Sequence, residues 1–241
     1  FNALHGGDGE NGVMQKFLED NSIIYTGSNS TSSVKSMDKH ASKKICSQND
    51  ILTPDWLYFI DNYSSLNDFS KFNNKSIVVK PSNEGSSIGL SIINNFNVDS
   101  NDKIKELDQS ILKCTNVSRN VLIEEYVNGR EVTVGILGDK PFPILEIEPT
   151  NKFYDYECKY TKGKSIYTVP AKNIDKKIEK SLLQKALKIY SLLGCRHYAR
   201  VDFRLSIDNN IYFLEVNTLP GFTDTSLFPM AAKSIGINYK K

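Results

Sequence analysis

The sequence predicts an α+β fold in which antiparallel strands carry the chemistry and amphipathic helices cover them. Three stretches support this. Arg196 to Asn217 holds two apolar-rich runs around Asp208-Asn209-Asn210, residues that tolerate the backbone of a tight turn, and reads as a β-hairpin. Ser76 to Ile93 reads as a strand, a Gly/Ser loop and a strand. Asp175 to Leu193 reads as a helix, with Asp175 as N-cap, Ile178, Leu182, Ala186 and Ile189 on one side, and Gly194 after its end.

With its turn centred on Asp208-Asn209, the hairpin sets Arg200 opposite Asn217 and Asp202 opposite Glu215. Alternation gives one face Val201, Phe203, Leu205, Tyr212, Leu214 and Val216, a core face. The other receives Arg200, Asp202, Arg204, Phe213, Glu215 and Asn217. Two carboxylates side by side repel each other unless a cation offsets them. Arg200 and Arg204 are one source of that charge. Mg²⁺ is another, because three oxygen side chains on a rigid ladder suit a hard ion. The hairpin alone leaves both open. Thr218-Leu219-Pro220-Gly221 ends the strand, and Thr223 to Gly236 reads as helical. A helix N-terminus beside a metal would form an anion site.

In chain order, Phe1-Asn2-Ala3-Leu4 reads as the end of a strand. The Gly-rich turn His5 to Gly12 either cradles an anion on backbone N–H groups or simply connects. Val13 to Asn21 is helical by spacing, and Ile23-Ile24-Tyr25 reads as a short strand. Ser30 to Ser47 reads as one helix carrying Lys39. Trp56 to Ile60 is a strand. The loop Ser82 to Gly89 after Lys80 is neither a Walker A loop nor a dinucleotide fingerprint, since both need a helix to follow. It suits a flap over phosphates, with Lys80 as a point charge. Asp102 to Lys113 is an amphipathic helix. Val121 to Val127, Arg130 to Leu137 and Phe142 to Ile147 are strands, and Glu131, Thr133 and Gly135 share one face of the second. Asn151 to Lys172 interleaves Tyr154, Tyr156, Tyr160 and Tyr167 with Lys159, Lys162 and Lys164 and has no period. Its length suits a functional lid or an aromatic-anchored surface loop. The economical arrangement is a cleft between a middle and a C-terminal layer, with hairpin, flap and lid facing in.

The 241 residues are 39% hydrophobic and 24% charged, enough for a substantial core and more than one domain. A net charge of +2 without a basic block gives no nucleic-acid signal, and no apolar run is long enough to span a membrane. Cys46, Cys114, Cys158 and Cys195 are scattered, as expected for reduced thiols of a cytoplasmic protein. The start has no secretory-signal pattern, and the chain is expected to begin inside a domain.

The collinear segments HGGDGENG, YTGS, MDK, VVKPSNEGSSIG, LIEEYVNGREVTVGILG, FYDYECKY, CRHYARVDFRL and FLEVNTLPGFTDTSL resemble the D-alanine–D-alanine ligases of the ATP-grasp superfamily. The resemblance implies an α+β ATP-grasp fold with nucleotide between two antiparallel-sheet subdomains. Residues 1–28 would be a remnant of an N-terminal α/β substrate domain, 29–128 the central subdomain and 129–241 the catalytic one. It implies ligation of two D-alanines, with ATP and two Mg²⁺ ions (Mn²⁺ in their place), for peptidoglycan synthesis in the cytoplasm. The full-length protein would be a homodimer.

Carried over residue by residue, the resemblance places Lys39 and Lys80 at the ATP phosphates, Glu124 at the adenine amino group and Glu131 at the ribose hydroxyls. Asp202, Glu215 and Asn217 would hold the metal ions, and Lys159 would approach the γ-phosphate. Arg200 and the Gly221 N–H would stabilise the oxyanion. Ser226 and Leu227 would receive the carboxylate of the second D-alanine. His5 would lie near the first, and Ser86 and Tyr160 would tie flap and lid shut. The Lys159-Tyr160 pair favours D-alanine as second substrate. Family members carry a further segment with a Gly-rich turn and a glutamate for the first D-alanine's amine, so this stretch alone is expected to bind ATP–Mg²⁺ weakly and to fall short of ligation. The rival readings are a D-alanine–D-lactate or D-serine ligase and a non-catalytic nucleotide-binding module.

Overall fold

A computed structural model describes residues 1–149 and 165–238. They fall into two compact units, one of 54–127 and one of 1–53, 128–149 and 165–238.

The first unit is a four-stranded antiparallel sheet of order β1-β4-β2-β3, with β1 Trp56–Ile60, β2 Lys75–Pro81, β3 Ser91–Phe96 and β4 Asn120–Glu125. One face buries Ile77, Val79, Ile93, Val121 and Ile123 against Leu107 and Ile111 of a covering helix, Asn101–Thr115, and against Phe69 and Phe72 of a 3-10 turn. That helix starts where the Ser100 hydroxyl accepts the Lys103 N–H. Each fully buried aliphatic side chain contributes about 1.5–3 kcal/mol, so this face anchors the sheet to its covering helix. The opposite face carries Lys80 and Glu124, offset diagonally on neighbouring strands because Val78 pairs with Glu124 and Lys80 with Leu122.

The second unit is a six-stranded antiparallel sheet. Its path is β10-β9-β5-β7-β8, with β5 Gly129–Leu137, β7 Leu145–Pro149, β8 Ser165–Thr168, β9 Tyr198–Ser206 and β10 Ile211–Asn217; the short β6, Lys140–Pro141, pairs with β5. Val132, Val134, Val201, Phe203 and Phe213 bury one face against Leu182, Ala186 and Ile189 of the helix Lys176–Leu192. Asp175 caps that helix by accepting the Lys177 N–H at 2.7 Å, and Gly194 follows it in a left-handed conformation. Helices α1 Val13–Asp20, α2 Ser30–Met37 and α3 Lys39–Ser47 belong to the same unit.

Several local expectations are corrected. Phe1 to Leu4 is not a strand: the Asn2 N–H donates to the Thr26 hydroxyl rather than to a neighbouring ladder. Ile23 to Tyr25 is not one either, and Ile24 is almost fully exposed. The single helix from Ser30 to Ser47 is two, broken at Asp38, whose extended backbone and carboxylate cap α3 through the His40 and Ala41 N–H groups. The third strand begins at Leu145, not Phe142. The last helix spans only Leu227–Ser234. Cys46, Cys114 and Cys195 are free and buried; Cys158 lies outside the described residues.

Candidate active site

The face of the six-stranded sheet away from its core collects charge by register. Antiparallel pairing sets Thr133 beside Asp202, Gly135 beside Arg200, and Glu131 beside Arg204. On the other side of β9, Asp202 pairs with Glu215 and Arg200 with Asn217, as the hairpin analysis expects. The route to that register differs from the expected one. The loop of residues 207–210 sets Leu205 opposite Ile211, one position away from the expected pairing, and a bulge at Leu214 restores it. The bulge also changes faces. Phe213, expected on the polar side, is wholly buried opposite Phe203, with ring centroids 6.4 Å apart, while Tyr212 and Leu214 fall outside the buried core. A bulge that re-aims side chains at the end of a strand suits a site.

Protein cations stand beside both carboxylates: Asp202 takes Arg200, one of the two arginines considered, and Glu215 takes a lysine. Arg200 grips Asp202 with both prongs, Nε to Oδ1 at 2.9 Å and Nη2 to Oδ2 at 2.8 Å, and the Thr133 hydroxyl donates to Oδ1 as well. Glu215 pairs with Lys39, Nζ to Oε2 at 3.1 Å. Arg204 lies 3.6 Å from Glu131 and donates to the Gly129 carbonyl at 3.0 Å. The break at Asp38 therefore has a purpose, since it starts α3 at Lys39 and buries that lysine beside β10. Asn217 Oδ1 accepts the Leu219 N–H at 3.1 Å, which bends the chain as it leaves β10. Sequence reasoning missed Thr133 as a partner of Asp202, although alternation along β5 puts it on that face. It also missed Lys43, wholly buried one helical turn after Lys39.

Leu219 links this face to the opening loop. His5 Nδ1 lies 2.8 Å from the Leu219 carbonyl oxygen and 3.0 Å from Glu10 Oε2. The loop is not an anion cradle of free amides: the N–H groups of Gly9, Glu10 and Asn11 donate to Gly6 and Gly7 carbonyls within it. Beyond Leu219, Gly221 and Ser226 meet. A Cβ on Gly221 would fall 2.7 Å from Ser226 Oγ, so a larger residue there would displace that hydroxyl. Ser226 stands at the N-terminus of the helix that begins with Leu227.

In the other unit, Lys80 Nζ contacts Glu124 Oε1 in a pair that is almost wholly buried. Ser86 sits in the Gly/Ser loop with a left-handed backbone, as does Ser87. Lys159 and Tyr160 lie outside the described residues. Among the described residues no three His, Cys, Asp or Glu side chains form a metal-binding group; the expected set comprises two carboxylates and a carboxamide.

The chain is similar to known proteins over nearly its whole length. Residues 45–241 match the family described as D-ala D-ala ligase C-terminus. A D-alanine–D-alanine ligase of Aquifex aeolicus (strain VF5) is 46% identical over 241 residues, covering 100% of this chain and 78% of that protein. The chain belongs to the D-alanine–D-alanine ligase family. Among solved structures, the D-alanine–D-alanine ligase from Bacillus anthracis complexed with ATP matches with a TM-score of 0.81 and 34% identity, over 99% of this chain and 74% of that one. The VanG D-Ala:D-Ser ligase from Enterococcus faecalis matches with a TM-score of 0.85 and 33% identity, over 97% and 67%. The fold is therefore the ATP-grasp fold of the D-alanine–D-alanine ligases, α+β with antiparallel sheets. No described helix is long and apolar enough to cross a membrane.

Proposed function

We propose that this protein joins two D-alanines into D-alanyl-D-alanine, with ATP as phosphoryl donor and D-alanyl phosphate as intermediate, for peptidoglycan synthesis. The observation that carries the reading is the register that sets Asp202 beside Glu215 and Arg200 beside Asn217 on one sheet face, with Lys39 reaching Glu215. A cytoplasmic location agrees with ATP as donor and with three free thiols.

In the first step the carboxylate of one D-alanine attacks the γ-phosphorus of ATP, and ADP leaves. Two anions approach, so the residues must offset negative charge. Lys39 and Lys80 take the phosphates in this reading. Each is already held against a carboxylate, Glu215 or Glu124, so phosphate binding exchanges one anionic partner for another rather than drawing a bare ammonium out of water. Glu124 then accepts from the adenine amino group and Glu131 from the ribose hydroxyls. Lys159 would add its charge at the γ-phosphate.

The donor set of Asp202, Glu215 and Asn217 fits Mg²⁺ or Mn²⁺: all three offer hard oxygens, and they lie on two adjacent strands in one register. When bound there, the metal would supply positive charge to the phosphate oxygens.

In the second step the amine of the other D-alanine attacks the acyl carbon, phosphate leaves, and the amine gives up a proton. Negative charge develops on the carbonyl oxygen, where Arg200 and the Gly221 N–H donate. Ser226 and Leu227, at a helix N-terminus, receive the second carboxylate. His5 serves the first D-alanine. Ser86 and Tyr160 close flap and lid, keeping water from the acyl phosphate.

Phosphate release with ATP, Mg²⁺ and D-alanine, measured on a protein of the relatives' full length, tests the reading. Release that requires D-alanine and vanishes in Glu215→Gln supports it; equal release in Glu215→Gln overturns the site. A product formed faster with D-lactate or D-serine than with a second D-alanine overturns the substrate.

A further inference from the structure

Gly135 lies on the site face of β5, opposite Arg200, and none of the roles above uses it. Its backbone is ordinary strand rather than left-handed, so the glycine answers a need for space and not for conformation. A Cβ there would fall 2.7 Å from Phe142 Cδ2 and 3.1 Å from Phe228 Cδ2. Two rings therefore fill the hollow, both almost wholly buried, with centroids 5.1 Å apart. Phe142 is tied to the same glycine, its N–H donating to the Gly135 carbonyl at 2.7 Å. Phe228 comes from the helix Leu227–Ser234, so that helix rests on the site face itself, at the register of Arg200.

The segment before that helix is held from both ends. Phe222, next after Gly221, packs on Phe228 with centroids 5.4 Å apart and on Tyr198, near the start of the strand that carries Arg200, at 5.1 Å. Between Phe222 and Phe228 the chain ties to itself. The Ser226 N–H donates to the Thr223 carbonyl at 2.9 Å, and the Ser226 hydroxyl accepts the Thr223 N–H at 3.1 Å. The Met230 N–H donates to the Ser226 carbonyl at 3.1 Å, which joins Ser226 to the first turn. A shift of the Phe228 ring thus carries Ser226 and Leu227 with it, because a close-packed interior has no slack to absorb the step.

We propose that Phe228 is a positioning residue for the second D-alanine: its ring, seated in the hollow at Gly135, sets the distance from Ser226 and Leu227 to Arg200. The second carboxylate is received at one end of that span and the oxyanion at the other, so the span decides whether the amine meets the acyl carbon. Glycine and phenylalanine fix it by complementary size. A larger residue at position 135 pushes the helix outward, directly through Phe228 and indirectly through Phe142; a smaller one at position 228 lets the helix sink. The proposal rests on the ligase reading for its substrate.

The test is kinetic, on a protein of the relatives' full length, with rates taken across a range of D-alanine so that each of the two D-alanines has its own KM. Gly135→Ala should raise KM for the second D-alanine roughly tenfold and leave KM for ATP near its native value. Phe228→Leu should raise the same constant. The double variant, in which the smaller side chain makes room for the added methyl, should lie closer to native than either single variant. A purely structural role would instead lower kcat, through loss of folded protein, with every KM unchanged. That pattern, an equal rise in KM for ATP, or additive effects in the double variant overturns the proposal. If calorimetry shows that Gly135→Ala does not fold, Phe228→Leu decides by the same split between the two constants. Absence of D-alanine-dependent phosphate release in the native protein would count against the ligase reading instead, and the melting temperatures of the three variants would then decide on the fit of Phe228 to Gly135.

Discussion

Replacing Arg200 by methionine should destabilise the second unit before any question of turnover arises. Asp202 is 4% exposed and takes three donors, two from Arg200 and one from Thr133. Arg200→Met removes the two charged donors and leaves a buried carboxylate with one hydroxyl. Removing one partner of a buried ion pair costs about 3–5 kcal/mol. For a folding unit of this size each kcal/mol moves Tm by about 2–4 °C, so the fall should be roughly 6–20 °C. Differential scanning calorimetry reads it directly. Arg200→Lys should lie between, because it keeps the charge but loses the planar fork. The double variant Arg200→Met with Asp202→Leu should recover most of the loss, since a buried pair replaced by apolar groups is often neutral or better. A fall of less than about 2 °C in Arg200→Met, or no recovery in the double variant, would refute the assignment of Asp202 and Arg200 as a mutually dependent pair.

Glu19 gives a pH-dependent test. Its carboxylate accepts from the Ser30 hydroxyl, the Tyr25 hydroxyl and the Ser30 N–H, which hold its pKa at about 2, well below the usual carboxylate value. A depressed carboxylate contributes stability above its unfolded pKa and loses that contribution as pH falls through the folded one. Glu19→Gln should therefore lower Tm at pH 7 by a modest amount, because the group is exposed, and the gap should narrow steadily between pH 4.5 and about pH 2; a constant gap would contradict the hydrogen-bond assignment. The thiols give another test. Burial pushes Cys46 up to about 12 and Cys114 to about 11, and raises Cys195. Iodoacetamide at pH 8 should leave all three unlabelled in the folded chain and label them in denaturant, with mapped peptides as the readout. Labelling of folded Cys46 would mean that its core is open.

Strands and long helices were readable where a period met a sharp boundary. β1 was placed to the residue, and the helix capped by Asp175 came within one. The failures have a common cause. Ile23-Ile24-Tyr25 has the composition of a strand but no neighbouring ladder, and composition does not report pairing. β8 was absorbed into the lysine- and tyrosine-rich stretch because its four residues carry only weak alternation. The break at Asp38 was legible in principle, since Asp is a strong N-cap, but the apolar spacing on both sides runs through it.

The register of the candidate site was legible in the sequence, and the hairpin shows why. Site residues had to be correct only at one end of the ladder, and there an error of one residue at the turn was cancelled by the bulge at Leu214. The cancellation follows from physical constraints. Two ends of a hairpin are pinned independently, one by the turn and one by the need to bury Val201 and Val216 on the core face. When those two demands differ by a residue, the strand must absorb it, and a bulge is the cheapest way. Sequence alternation reads the demand of the core; it does not read the bulge. That is why Asp202, Glu215, Arg200 and Asn217 came out in register while Phe213 was assigned to the wrong face. The same limit explains Lys39. Its helix was foreseen, but its partner Glu215 lies far along the chain, and only the packing of α3 beside β10 brings the two within 3.1 Å.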